Sequence, residues 1–312
     1  MCGLFGMLLP HGYPTELLDR GAALTFLGVL AEERGRHGAG IAARLPAAAV
    51  GSDSAGRDGW VVTRHPGPFT DLAGRRGLRG LSHAAAAIGH TRWATQGAIN
   101  LANTSPLQAG TLLGTHNGDV DTDTIRYAPD PVDPSWTDSR AIYAAVATAH
   151  TGSRVNTARL VSILAGMRGR AALVWTDTAD TTVRGRGRVW LARAGLSPLA
   201  VARDVDGGLW WASNPDWLRR LSVTFDLPLR RIGLLPEGVL LSARPQQGKV
   251  ITTVHARFKP TVRAQDLRLV RGAVWRNFTP ADRRDDHAVM RHRVIGAPGD
   301  AWGSDRPLAR LA

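Results

Sequence analysis

Four short stretches of this 312-residue chain hold residue types that, brought together, could open an amide bond. The first is Cys2, the only cysteine of the chain. On removal of an initiator Met1, Cys2 would become the N-terminus and carry both a thiol and a free α-amine. The amine titrates at about 8 and the thiol at about 8.5, so the pair can exchange a proton near neutrality. A thiol with an adjacent base is an activated nucleophile, and an N-terminal amine is one source of that base. The second is Arg92, whose planar guanidinium matches a carboxylate. Asn117-Gly118 comes third, offering a side-chain amide and an unobstructed backbone N–H, the donors an oxyanion needs. The fourth is Asp138, at a helix start, which could hold an ammonium group. Together they describe a site for an amino acid that bears a side-chain amide. Each has a plainer alternative. Cys2 could be an incidental small residue, Arg92 a surface ion-pair partner, Asn117-Gly118 a hairpin turn and Asp138 a helix cap.

The elements that must position these groups are legible in outline. The apolar run at residues 3–9 reads as a buried strand, ended by Pro10, His11 and Gly12. Over residues 15–34 the apolar positions Leu17, Leu18, Ala22, Leu24, Leu27 and Leu30 recur at helical spacing, with Thr15, Glu16 and Asp19 at the start. Strands are expected at 41–43 and 60–63, with a loop over 46–59 and no resolvable pattern over 66–82. A strand at 84–90 leads into two dense polar clusters, 89–97 and 114–119, which read as loops at strand ends. Helices are expected at 137–146, capped by Thr137 or Asp138, and at 157–167. Short strands follow at 170–176, 188–192, 199–203 and 208–213, then a helix at 215–221 and strands at 239–243 and 250–254. Strands and helices come in blocks, which fits two antiparallel sheets with helices packed outside them. Beyond residue 245 the pattern dissolves into Arg, His, Pro and Gly. The last 35 or so residues read as a poorly ordered tail or partner-binding extension, with Trp275 and Trp302 as contact residues.

Composition sets outer limits. Hydrophobic content of 44% and charged content of 21% describe a globular chain, and no apolar run is long enough to span a bilayer. One cysteine excludes an internal disulfide and any multi-cysteine metal site, and a reduced thiol points to the cytoplasm. The net charge of +13 comes almost wholly from arginine, with Lys249 and Lys259 the only lysines. Those arginines are spread along the chain, which favours compositional usage over a nucleic-acid surface.

Several motifs carry a resemblance. Cys2-Gly3-Leu4-Phe5-Gly6 opens the chain, and Arg34-Gly35 with Ala39-Gly40-Ile41 follows the first helix. Residues 89–95 read Gly-His-Thr-Arg-Trp-Ala-Thr, and His116-Asn117-Gly118 and Thr137-Asp138 come next. Arg168-Gly169, Leu191-Ala192-Arg193, Ser197-Pro198-Leu199 and Ala212-Ser213-Asn214 complete the set. On these residues the chain resembles the class II glutamine amidotransferases, a family of N-terminal-nucleophile (Ntn) hydrolases, over residues 2–245. The resemblance implies an α+β, four-layer αββα sandwich of two antiparallel sheets flanked by helices. It implies Cys2 as nucleophile, Asn117 and Gly118 as the oxyanion hole, and Arg92 and Asp138 on the α-carboxylate and α-ammonium of glutamine. Thr95 would add a hydrogen bond, and Trp93 would lie on the loop closing over substrate. No cofactor or metal is implied.

The sequence departs from the family at His37-Gly38, where Asp-Ser is usual, and at Gln96, where histidine is frequent. Residues 246–312 form a basic extension, too short and irregular for the ammonia-using domain that family members usually carry. The leading expectation is therefore a glutaminase domain, residues 2–245, that passes ammonia from L-glutamine to a separate synthetase. Below it rank an Ntn hydrolase of another amide or γ-glutamyl compound, and a nucleic-acid or partner-binding module using the arginine-rich tail.

Overall fold

The computed structural model describes residues 1–14, 18–46, 59–73, 78, 80–152, 154–180, 187–262 and 279–295. The first half runs β1 (Gly3–Leu8), α1 (Arg20–Ala31), β2 (Gly38–Arg44), β3 (Trp60–His65), α2 (Phe69–Ala73), β4 (Ala86–Arg92), β5 (Leu107–Ala109) and β6 (Leu112–Val120). Next come α3 (Asp138–Ala147), a small hairpin of β7 (His150–Thr151) and β8 (Arg154–Val155), α4 (Thr157–Gly166), β9 (Gly169–Asp177) and β10 (Val189–Gly195). The rest comprises β11 (Ala200–Arg203), β12 (Leu209–Ala212), α5 (Pro215–Thr224), β13 (Arg230–Leu234), β14 (Val239–Gln246), β15 (Lys249–Arg257) and α6 (Pro280–Met290).

Two large sheets result. One has the order β13-β11-β12-β1-β4-β2-β3 and the other β15-β14-β10-β9-β6-β5, with antiparallel pairing throughout both. Alternation along β1 shows how the layers stack. Leu4 and Leu8 enter a cluster with Ile88, Val174, Leu191, Trp211 and Leu241, which joins sheet to sheet. Phe5, Met7 and Leu9 enter a second cluster with Leu24 and Leu27 of α1 and Leu218 of α5. A third cluster packs Ile142 and Val146 of α3 and Ile163 of α4 against Leu173 and Trp175 of β9. Three apolar interfaces make four layers, helix on sheet on sheet on helix, the Ntn-hydrolase arrangement expected from the family resemblance. Burial on both faces is why β1 reads as an unbroken apolar run.

Several local expectations shift. The first helix begins at Arg20, because the Asp19 carboxylate accepts from Ala22 N at 3.0 Å and caps it there. Residues 15–17 lie outside the described residues, as do nearly all of the expected 46–59 loop, Trp275 and Trp302. Arg92 ends β4, and His116, Asn117 and Gly118 lie within β6, so the polar clusters belong largely to strands. The boundary expected at residue 245 falls inside β14, and β15 and α6 lie beyond it. α6 escapes a periodicity search because it buries only Asp286 and Val289. Its local signal was present: Thr279 and Asp282 form a capping box, with Pro280 in the first turn.

The packing of β1 is tight. A Cβ on Gly6 would meet Ala87 O at 2.2 Å and the Trp211 ring at 2.5 Å. Gly6→Ala is therefore expected to destabilise the fold by about 1–3 kcal/mol or more, read as a shift in denaturant midpoint at constant m-value.

Candidate active site

The ends of β1 and β4, the end of β6 and the start of α3 converge at one end of the sandwich. Pairing of β1 with β4 places Gly3 opposite Thr91, so Cys2 lies beside the end of β4. There the Cys2 thiol accepts from Trp93 N at 3.4 Å and approaches Trp93 O at 3.7 Å. Burial pushes this thiol above the ordinary cysteine range, so it rests protonated. The Arg34-Gly35 motif has a steric reason, since a Cβ on Gly35 would meet Arg92 C and Trp93 N at 2.4 Å. Arg34 itself donates from Nε to Cys2 O at 3.0 Å.

Cys2, Arg92, Trp93, Thr95, Gly118 and Asp138 all line one cavity of about 20 Å³. That is room for roughly one water, so the site is closed. Arg92 is buried, which rules out a surface ion pair, and its guanidinium donates to Gln96 O at 2.7 Å, Ala98 O at 2.8 Å and Gly97 O at 3.3 Å. The 96–98 backbone thus occupies the fork that a carboxylate would take. Asp138 is the first residue of α3, and Thr137 is the cap, accepting from Arg140 N. The Asp138 carboxylate accepts from Val120 N at 2.9 Å and Ser139 N at 2.7 Å, which ties α3 to the end of β6.

Asn117 and Gly118 do not form a hairpin turn. They pair with Ala172 and Ala171 of β9. A Cβ on Gly118 would lie 1.7 Å from Arg170 O, so only glycine fits. The Asn117 amide does not line the cavity. It is turned toward Ser213 Oγ at 3.3 Å and Pro198 O at 3.5 Å, and Ser213 Oγ accepts from Leu4 N at 2.9 Å.

Residues not singled out from the sequence also shape the site. His116 Nε2 donates to Arg170 O at 3.3 Å, leaving Nδ1 to accept from Ser139 Oγ at 3.0 Å. Its Nδ1 lies 3.8 Å from Asp138, but burial lowers its pKa and keeps it neutral, so the two form no ion pair. His37, the family departure, accepts from Ala94 N through Nδ1 at 3.0 Å and lies 5.1 Å from the Trp93 ring. It therefore supports the loop beside the thiol. Gln96 donates to Asp119 and also lines a larger cavity of about 600 Å³.

No family model matches the chain. Over 123 residues, 38% of this chain and 22% of the relative, it is 32% identical to the amidophosphoribosyltransferase of Mus musculus. Among solved structures it is similar to the glutamine phosphoribosylpyrophosphate (PRPP) amidotransferase of B. subtilis complexed with ADP and GMP. That match has a TM-score of 0.52 at 17% identity and covers 85% of this chain and 51% of the other. The chain has the fold of these amidotransferase structures and is similar in sequence to one amidophosphoribosyltransferase over 123 residues. A structure described as the allosteric regulatory enzyme of purine biosynthesis matches over the same shares, with a TM-score of 0.56 at 18% identity. The chain thus spans about half the length of these solved structures. Among the described residues, no helix is long and apolar enough to cross a membrane. No group of three or more His, Cys, Asp or Glu could hold a metal there.

His90 lines the same cavity, and its Nε2 donates to His116 O at 3.0 Å. Burial holds its pKa down at about 3. The folded chain refuses a proton that the unfolded chain accepts below about 6.5. Stability is accordingly expected to fall as pH drops from about 6.5 toward 3, and to fall less steeply in His90→Gln. Thermal melts of both proteins across that range check this.

Proposed function

We propose that the domain hydrolyses the side-chain amide of L-glutamine to glutamate and ammonia. The convergence of Cys2, Arg92, Gly118 and Asp138 on one closed cavity carries this reading. Arg92 would hold the α-carboxylate and Asp138 the α-ammonium, which together select an α-amino acid. Thr95 would add a hydrogen bond, and Trp93, on the loop with Gln96, would close over the substrate. For glutamine to enter, the carbonyls of residues 96–98 must yield the Arg92 guanidinium, so loop opening precedes binding.

The thiol's raised pKa makes a resting thiolate unfavourable, so its proton must leave as attack occurs. The acceptor in this reading is the α-amine of Cys2, available once Met1 is removed. Enclosure at Cys2 would favour a neutral amine there, because burial disfavours the charged form. The sulfur would then bond to the amide carbon. Gly118 N–H, with the Asn117 amide after a small turn from Pro198, would stabilise the oxyanion. The α-ammonium returns its proton to the leaving nitrogen, ammonia departs, and water cleaves the thioester to glutamate.

Ammonia would pass to a separate synthetase, and a lone cysteine used as a thiol supports a cytoplasmic setting for the reaction. Hydrolysis of another amide or γ-glutamyl compound ranks below glutamine, because Arg92 and Asp138 face the same cavity.

Protein whose mass shows a free Cys2 N-terminus is expected to release glutamate from glutamine. Cys2→Ser and Cys2→Ala should lower that rate by about a thousandfold or more. Protein retaining Met1 should be inactive. Folded protein with a free Cys2 that turns over no glutamine, with or without candidate synthetases, would refute the proposal.

A further inference from the structure

The mechanism above uses nothing beyond residue 245, yet the segment beyond it reaches the nucleophile. Asp286 of α6 is 3% exposed at its side chain and sits between two buried guanidiniums. Its Oδ1 accepts from Arg34 at 2.9 Å, and its Oδ2 accepts from Arg170. Arg34 is 5% and Arg170 2% exposed, so the three charges form one enclosed cluster.

Each arginine leads to a different part of the site. Arg34 donates from Nε to Cys2 O, the carbonyl of the nucleophile itself, while its Nη2, which holds Asp286, also lies 3.0 Å from Met1 Sδ. Arg170 belongs to β9, where it pairs with Asp119, and its carbonyl lies against Gly118 and accepts from His116. One arginine is thus tied to β1 of the first sheet and the other to β6 and β9 of the second. Without Asp286 the two cations would lose the carboxylate they share in a region that excludes water, and their mutual repulsion would be less compensated. The link between the nucleophile and the oxyanion-hole strand would weaken accordingly.

We propose that Asp286 is a positioning residue, delivered by α6, that sets Cys2 against Gly118 by bridging Arg34 and Arg170. α6 acts as a latch that buries little apolar surface of its own. Val289 is the only apolar residue it buries fully, and an Arg193 contact to Met290 Sδ at 3.2 Å adds a further hold. The chain then adds a backbone bridge, with Leu234 N donating to Arg293 O and Ile295 N to Leu234 O.

The proposal rests on the glutaminase reading for its kinetic test but not for its chemical one. In full-length protein with a free Cys2, Asp286→Asn should lower kcat for glutamate release by about tenfold to a hundredfold, with KM for glutamine within about twofold. Asp286→Glu, which keeps the charge, should retain more activity. The rate of Cys2 alkylation by iodoacetamide should also differ from wild type in Asp286→Asn at equal folded fraction. If wild type alkylates at an Asp286-dependent rate but never releases glutamate, the glutaminase reading fails and the positioning role stands. Should Asp286→Asn not fold, Thr279→Ala tests the latch through the exposed α6 cap, with kcat expected to fall about twofold to fivefold. Folded variants with wild-type kcat and alkylation rate, or a kcat loss that matches lost folded fraction, would overturn the proposal.

Discussion

Burial of β1 on both faces is the constraint on which the rest depends. It is a central strand of one sheet, flanked by β12 and β4, with one face against the second sheet and the other against α1 and α5. A shift of one residue would put a side chain where Gly6 admits the Trp211 ring, which holds the strand in register. Its N-terminal end therefore delivers Cys2 to a fixed point beside Trp93. Close-packed glycines serve the same end: Gly6 admits the Trp211 ring, and Gly35 lets the loop after α1 pass the 92–93 backbone.

Around that point the structure spends polar groups on one another. Arg92 is held by three carbonyls, Asp138 by backbone N–H groups, and the Asn117 amide faces Ser213. Buried polar groups need partners, and in the closed state the protein supplies them itself. A substrate with a carboxylate, an ammonium and an amide would replace these contacts group for group. On the proposed reading, closure and binding would be alternative ways of satisfying the same donors and acceptors. The neutrality of His90 and His116 follows from the same enclosure, because burial disfavours their charged forms.

The elements easiest to read were those with one apolar face or a clear cap. β1, α3 and α4 appear almost as their patterns describe, since each is decided by a local run, Thr137 or Asn156. The harder ones are short or polar. β13 buries only its last two residues, and α6 buries little besides Asp286, which pairs with two arginines, so neither shows a period. Asn117-Gly118 has the composition of a turn but lies in a strand, because pairing with β9 and contact with Arg170 O outweigh local preference.

The sequence by itself determined which groups exist: a lone thiol at Cys2, the block holding Arg92, Asn117-Gly118 and the capped start of α3. Those are local properties, carried by residue type and near-neighbour spacing. Only the tertiary structure decided that Cys2, Arg92, Gly118 and Asp138 share one closed cavity while the Asn117 amide is turned away from it, that Arg92 is already engaged, and that Asp286 stands behind Cys2 through Arg34. Asp286 lies 252 residues from Arg34 in the chain, and no local pattern can encode a contact between charges that meet only when two sheets and a helix close on one another.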